Sequence, residues 1–471
     1  MHAALRSRSR YLQGGLASAG LLLRSTSAVA LGLRLVLVAA TLFLIAASVF
    51  MRAAETVPFH GDESEWINNG RYFRYIVLDH DVRSEVWRPS FLNRDQPPVG
   101  RYIIGGIVWA SGTDPAKVNR SYAWERDYEA NQREGRVPDP PILTPVRRAM
   151  AIVGAVSIIL LFVAGRMVGG TLVGVTAGLA ATASPLLQMY FVQARSEALL
   201  ALFSSLALVI LLAVARRYQR DGTVPIVGWA AGPILGLALA TKLTAAFGIV
   251  GVCMYGGVAA MGRLRSAPRE AVRLLAWSAT TGLLAAIVWV VVNPFLWPDP
   301  VARTWSMVTQ LESLMVRQGA EFGNPVEQSP PGRLLLLVRR TFVEHSTPAY
   351  DYGARYGSEP LIRPTFSELP TVFGVSVEFM LATVGLGVLL CRVAKVWWSG
   401  QRHGAESALL WWLGAYLFGI VASLSLDWPR YYVPTAFYGS ILIGLGADSI
   451  VRVVMRWMGW SPRMVTPPPA V

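Results

Sequence analysis

The stretch QARSEALLALFSSLALVILLAVARRYQR, Gln193 to Arg220, decides the fold class. From Leu199 to Ala215 it carries no charged residue, and as a helix it is long enough to cross most of the ~30 Å hydrocarbon core of a bilayer. Charge gathers only at its ends, Arg195 and Glu197 before the run and Arg216, Arg217 and Arg220 after it. The whole chain repeats this pattern. Of 471 residues 53% are hydrophobic and 15% charged, and the mean hydropathy is +0.43. A soluble domain carries nearer a quarter charged residues, so this chain lacks the polar surface for a water-soluble body. Its net charge of +14 does not signal a nucleic-acid partner, because the basic residues lie in short clusters at the ends of apolar runs. Cys253 and Cys391 fall in or beside such runs, which argues against a disulfide framework or a thiolate metal site.

Scanning for similar runs predicts about ten spans: Val36–Phe50, Arg148–Val168, Thr171–Tyr190, Leu199–Ala215, Ile226–Ala240, Leu243–Ala260, Leu274–Val292, Val372–Leu390, Leu409–Leu424 and Val433–Val453. The expected class is an all-α polytopic membrane protein. Arg216 to Arg220, Arg263 to Arg273, Arg392 to Arg402, and Arg452 with Arg456 fall in alternate connections, on the side of the basic tail MHAALRSRSRYLQ, which is read as cytoplasmic. The expected organisation is a tail over 1–34, one transmembrane domain over 35–455 and a second tail over 456–471. Two long outer loops, 52–145 and 293–371, hold most of the acidic residues. The expected location is a bacterial plasma membrane with the working face outside. Loops of this length are usually functional. Trp66, Phe73 and Val77, and Trp305, Val308 and Met315, recur at helical spacing and predict interfacial helices. GTLVGVTAG, Gly170 to Gly178, offers small residues for close helix packing and is not a phosphate loop.

The outer polar residues predict one cleft. FHGDESEW, Phe59 to Trp66, places Asp62, Glu63 and Glu65 just after the first span, and NRDQPPVGRYIIG, Asn93 to Gly105, follows in the same loop with Asp95 and Arg101. Arg195 with Glu197, Lys242, and Asp427 with Arg430 occupy the other outer turns. Ionisable groups at bilayer depth are costly unless they face a cavity or one another. Taken singly, Lys242 also reads as a snorkelling helix-end residue, Arg195 with Glu197 as a local ion pair and Asp427 with Arg430 as a helix start.

GDESEW, RDQPPVGRYIIG, QARSEALLALFSSL, GLALATKLTA and RYYVP, in that order, resemble the pattern of the GT-C membrane glycosyltransferases. The likeness is nearest to the dolichyl-phosphate-mannose protein O-mannosyltransferases, with the aminoarabinose lipid A transferases as relatives, and covers about Arg34 to Val453. It implies an inverting enzyme that moves a sugar, mannose in the nearest branch, from a polyprenyl-phosphate carrier to a protein, lipid or glycan hydroxyl outside the cytoplasm. It places the catalytic acid on Asp62 with Glu63 beside it. The HPPLGK element of that family corresponds to QPPVGR, so Gln96 stands for His and Arg101 for Lys.

The chemistry agrees. A hydroxyl attacking an anomeric carbon needs a base within ~3 Å, which Asp62 supplies. The leaving lipid phosphate needs cations instead of an acid, and Arg195, Lys242, Arg430 and Arg101 are the candidates. Glu63 as a nucleophile in a retaining route stays open at this point. Asp95, His345, Tyr350 and Asp351 are candidates for the acceptor or sugar pocket. No cofactor is called for, and the outer carboxylates show no Asp-x-Asp grouping for a metal. The competing class is a transporter or lipid flippase with an outward-facing polar site.

Overall fold

A computed structural model describes residues 30–322, 326, 329–343, 371–372 and 375–460. His345, Tyr350 and Asp351 lie outside the described residues. In chain order the principal helices are α1 (Ala30–Thr56), α2 (Gly61–Asn68), α3 (Val99–Ala110), α4 (Pro140–Gly169), α5 (Thr171–Ala183), α6 (Glu197–Asp221), α7 (Ile226–Leu239), α8 (Leu243–Met261), α9 (Pro268–Val291), α10 (Pro300–Phe322), α11 (Pro330–Phe342), α12 (Val377–Trp398), α13 (Ala405–Ser423) and α14 (Val433–Trp457). Among the described residues the only β structure is the antiparallel pair Thr371–Val372 and Val375–Ser376. Eight of the helices, α1, α4, α6, α8, α9, α12, α13 and α14, are long and apolar enough to cross a membrane. The chain is an integral membrane protein.

Two of the ten expected spans are shorter than a full crossing. α5 stops after 13 residues because Pro185 follows. Proline cannot continue the hydrogen-bond ladder and pushes the residue before it out of the helical region, and Ser184 sits at ψ 117°. α7 ends at the turn before Lys242, whose backbone is extended. α7 still packs along α6. Lys242 Nζ is 2.9 Å from Glu197, which brings the end of α7 to the start of α6. At the opposite end Arg273 donates to the Gly222 carbonyl and Arg402 pairs with Glu270, gathering the starts of α9 and α13 beside the end of α6.

α5 fits between α4 and α14 because its glycines have no side chain. A Cβ on Gly174 would lie 2.4 Å from the Phe162 carbonyl oxygen of α4, and one on Gly444 of α14 would lie 2.4 Å from that of Val173. This is the packing role expected for GTLVGVTAG. The interfacial helix expected around Trp66 needs correction. Trp66 is only 5% exposed and belongs to the main apolar core, and Phe73 packs beside Trp109 at 6.0 Å. On α10 the pattern is amphipathic: Met307 is buried, whereas Val301 and Trp305 face outward.

Gly444→Ala should cost about 1–3 kcal/mol through overpacking against α5, whereas Gly257→Ala in α8, with nothing within 4 Å of its Cβ, should be neutral or slightly stabilising. Thermal unfolding in detergent distinguishes the two, and equal behaviour would contradict the crossing described.

Candidate functional site

The site is assembled around α2. His60 caps it: the imidazole Nδ1 accepts from the Asp62 N–H at 3.1 Å, while the His60 N–H donates to Glu63 Oε1 at 3.1 Å. This reciprocal box satisfies two of the donors a helix start leaves open. Neighbouring residues on a helix point about 100° apart, so Asp62 and Glu63 face different surroundings.

Glu63 turns into the protein and is fully buried. Arg147 of α4 grips it with Nε at 2.8 Å and Nη2 at 2.6 Å. The remaining Arg147 donors go to the carbonyls of Ala54, Val57 and Pro58, which close the end of α1. Glu63 Oε2 also accepts from the Ala194 N–H at 2.9 Å, next to Arg195. A carboxylate with two guanidinium bonds and two backbone donors is saturated, so Glu63 holds the site together and is not placed to attack a sugar. Buried ion pairs are tolerated when satisfied to this degree.

Asp62 turns the other way, into a cavity of about 910 Å³. Its Oδ2 lies 2.7 Å from Arg195 and 3.1 Å from Arg430, residues that precede α6 and α14. Burial alone would raise the carboxyl, but Arg195, His60 and Arg430 outweigh it and hold Asp62 well below the usual carboxylate range. The His60 ring is brought down to about 4, first by burial and then by Arg195 and Arg430 against the opposing pull of Asp62, so it is neutral near pH 7. Lys242 also borders the cavity, paired with Glu197 at 2.9 Å. Arg195 stacks over Tyr190 at 5.3 Å, and Arg430 over Trp428 at 4.1 Å. The nearest charged partners of Arg195 and Asp427 lie far away in sequence. Arg195 lies 3.8 Å from Glu197 but binds Asp62, while Asp427 pairs with Arg340 instead of Arg430.

Asp95 lines the same cavity, and burial raises its carboxyl. Glu65 borders it as well and accepts from the Tyr122 N–H at 2.7 Å. Arg101 does not line the cavity. It is 1% exposed, lies over Tyr72 at 4.9 Å and donates to the carbonyls of Leu92 and Gln96, fixing the turn that carries Asp95. Buried away from the cavity, it is not placed with the other candidate phosphate ligands. Arg147 was not anticipated. Its signal was an arginine pair, Arg147 and Arg148, at the end of a span where outward topology disfavours positive charge.

The cavity has a second chemical face. Beyond the charged cluster its wall is apolar, with Leu200, Phe247, Ile420, Leu424 and Val433 from the bundle and Leu311 from α10. Among the described residues no group of three or more His, Cys, Asp or Glu is arranged to hold a metal ion. The arrangement suits a long amphiphile with an anionic head: Arg195, Arg430 and Lys242 gather among carboxylates at one end, with hydrocarbon contact at the other.

No family model matches the chain, and neither does any curated protein. Solved structures do. The apo oligosaccharyltransferase of Archaeoglobus fulgidus superposes with a TM-score of 0.51 at 13% identity, over 90% of this chain and 52% of that one. The archaeal oligosaccharyltransferase AglB from the same organism, in complex with an inhibitory peptide and a dolichol-phosphate, gives 0.49 at 13% identity over 89% and 51%. ArnT from Cupriavidus metallidurans bound to undecaprenyl phosphate gives 0.43 at 16% identity over 87% and 60%. The first likeness shows the fold: this chain shares the architecture of the matched part of that oligosaccharyltransferase, and it spans about half of its length.

Arg147→Ala should destabilise the protein by about 3–5 kcal/mol, because it strands a buried carboxylate, whereas Arg148→Ala, at an exposed pair with Glu55, should change little. Equal melting temperatures in detergent would contradict the clamp. A second expectation concerns pH. The His60 pKa is lower folded than unfolded, so the unfolded chain takes up that proton first. The stability it contributes is complete above about 6.5 and is lost as pH falls toward 4. His60→Asn, which retains an acceptor for the cap, should flatten that part of the melting-temperature profile; identical wild-type and variant profiles would contradict it.

Proposed function

We propose that the chain is a membrane glycosyltransferase that moves a sugar from a polyprenyl-phosphate donor to an acceptor hydroxyl with inversion, with Asp62 as general base. The observation that carries this reading is the cavity itself, where Asp62 faces Arg195, Arg430 and Lys242 at the head of an apolar channel wall. A lipid phosphate brings a negative charge to the cations, and its prenyl chain finds the Leu200, Phe247 and Ile420 surface. The archaeal AglB structure holds a dolichol-phosphate and the ArnT structure undecaprenyl phosphate, lipids of this chemical class.

In the proposed reaction the acceptor oxygen attacks the anomeric carbon as its proton passes to Asp62, and the bond to phosphate breaks with its electrons going to the phosphate oxygen. The guanidiniums stabilise charge that grows there, so no general acid is required. The saturated bonding of Glu63 removes it as the nucleophile of a covalent, retaining route, which favours direct displacement. Asp95 and Glu65, with Tyr122 and Trp124 on the same cavity wall, offer carboxylates and ring faces to a sugar or acceptor. By the positive-inside pattern the cavity opens on the extracytoplasmic side of a bacterial plasma membrane.

Asp62→Asn keeps the side-chain size and should lower transfer from an undecaprenyl-phosphate sugar by ~10²-fold or more. The assay follows radiolabelled sugar from lipid carrier to membrane acceptors with purified, reconstituted protein. Near-normal turnover by the variant would remove Asp62 from the chemistry.

A further inference from the structure

A single oxygen, Oδ2 of Asp62, contacts both Arg195 and Arg430. These are two of the three cations that, on the reading above, receive the lipid phosphate. Their other bonds are few. Arg195 reaches Gln193 at 3.3 Å and lies 3.8 Å from Glu197 over the ring of Tyr190, its buried Nε making no hydrogen bond; Arg430 rests on the rings of Trp428 and Tyr431. The other charged and titratable groups around the cluster are His60 from the start of α2, Glu197 and Lys242 paired with each other, Tyr190, Glu65 and Asp95. None of the other carboxylates takes the bridging place. The Asp62 oxygen therefore stands where an oxygen of an incoming phosphate would have to go.

We propose that Asp62 is a resident anion of the donor site: the lipid phosphate binds by displacing Asp62 from Arg195 and Arg430, and is expelled when Asp62, deprotonated again, reclaims them. This rests on the transferase reading and gives Asp62 a role in donor affinity that is separate from proton transfer. With Asp62 in this place both guanidiniums are partnered and oriented, and the base is held out of use. Donor binding frees the carboxylate from its two cationic partners, and so strengthens the base only when a sugar is present to be attacked.

The charge balance closes the cycle. The acceptor hydroxyl gives its proton to Asp62 as the new C–O bond forms. The old bond breaks toward phosphate, so the lipid diester monoanion becomes a monoester with one more negative charge. At that moment Asp62 is neutral and cannot compete, and the product phosphate is held at its tightest. Loss of the proton from Asp62 to water restores the carboxylate, which recaptures Arg195 and Arg430 and releases the lipid phosphate.

The consequence is a change opposite in sign to the loss of activity. Purified full-length protein in detergent is titrated with undecaprenyl phosphate, and binding is read by calorimetry for wild type, Asp62→Asn, Asp62→Ala, Glu65→Gln and Asp62→Asn with Arg430→Ala. Both Asp62 variants should bind roughly tenfold or more tightly than wild type, the range of one charge-assisted contact recovered. Glu65→Gln removes a carboxylate from the same cavity without freeing either arginine and should not tighten binding comparably. The double variant should return toward wild type. Unchanged or weaker binding by both Asp62 variants, with wild type still binding, overturns the resident-anion role and leaves the transferase reading standing. Equal tightening in Glu65→Gln also overturns it, by showing a general charge effect. Absence of binding by wild type overturns both.

Discussion

The ion pair between Glu63 and Arg147 is the contact on which the site depends. One carboxylate closes the cap of α2, meets α4 and accepts from the backbone beside Arg195, while the same guanidinium seals the end of α1. Asp62 and Arg195 are thereby tied to the same buried anchor from opposite sides. In a low-dielectric interior such a pair is tolerable only because nearly every donor and acceptor is used. That saturation fixes the distance between base and cation. It also explains why two adjacent acids have unlike fates: one is structural because it is satisfied, and the other remains available to chemistry because it faces a cavity.

The fold was legible from apolar run length and from the alternation of basic loops, because both are imposed by the bilayer itself. Helix lengths were less so. The end of α7 was read at Ala240, one residue beyond the Leu239 observed, whereas the span read through to Tyr190 is broken at Pro185. Of the site, Asp62, Arg195, Lys242 and Arg430 were visible as ionisable residues at the same depth, and the structure brings them to one cavity. Their closest charged partners were not visible: Arg195 keeps its neighbour Glu197 at 3.8 Å but binds Asp62 more closely, and Asp427 pairs with Arg340, distant in sequence. Arg101 shows the opposite limit. Its charge and motif position suggested phosphate, but it is inward-facing and spends its donors on backbone carbonyls, which no spacing rule reports.

The aromatic residues divide in a similar way. Trp428 and Tyr190 flank the guanidiniums, where ring faces attract cations without neutralising them and without hydrating them. A guanidinium held in this manner keeps its donors for an anion that arrives later. Trp66, read from its spacing as an anchor to lipid, is instead part of the protein core under α2. Helical periodicity identifies a face, but what covers that face is decided by the rest of the fold.

The shortness of α5 and α7 has a consequence for how two immiscible substrates meet. Thirteen residues rise about 20 Å, some 10 Å less than the hydrocarbon thickness, and the segments that follow α5 and α7 carry Tyr190, Arg195 and Lys242. The bundle is notched where its charges sit. On the proposed reading a carrier lipid slides in sideways without lifting its tail from the bilayer, and the water-borne partner descends to it. The protein would then act as a local thinning of the membrane, a place where the distance between oil and water is shortened on one side only.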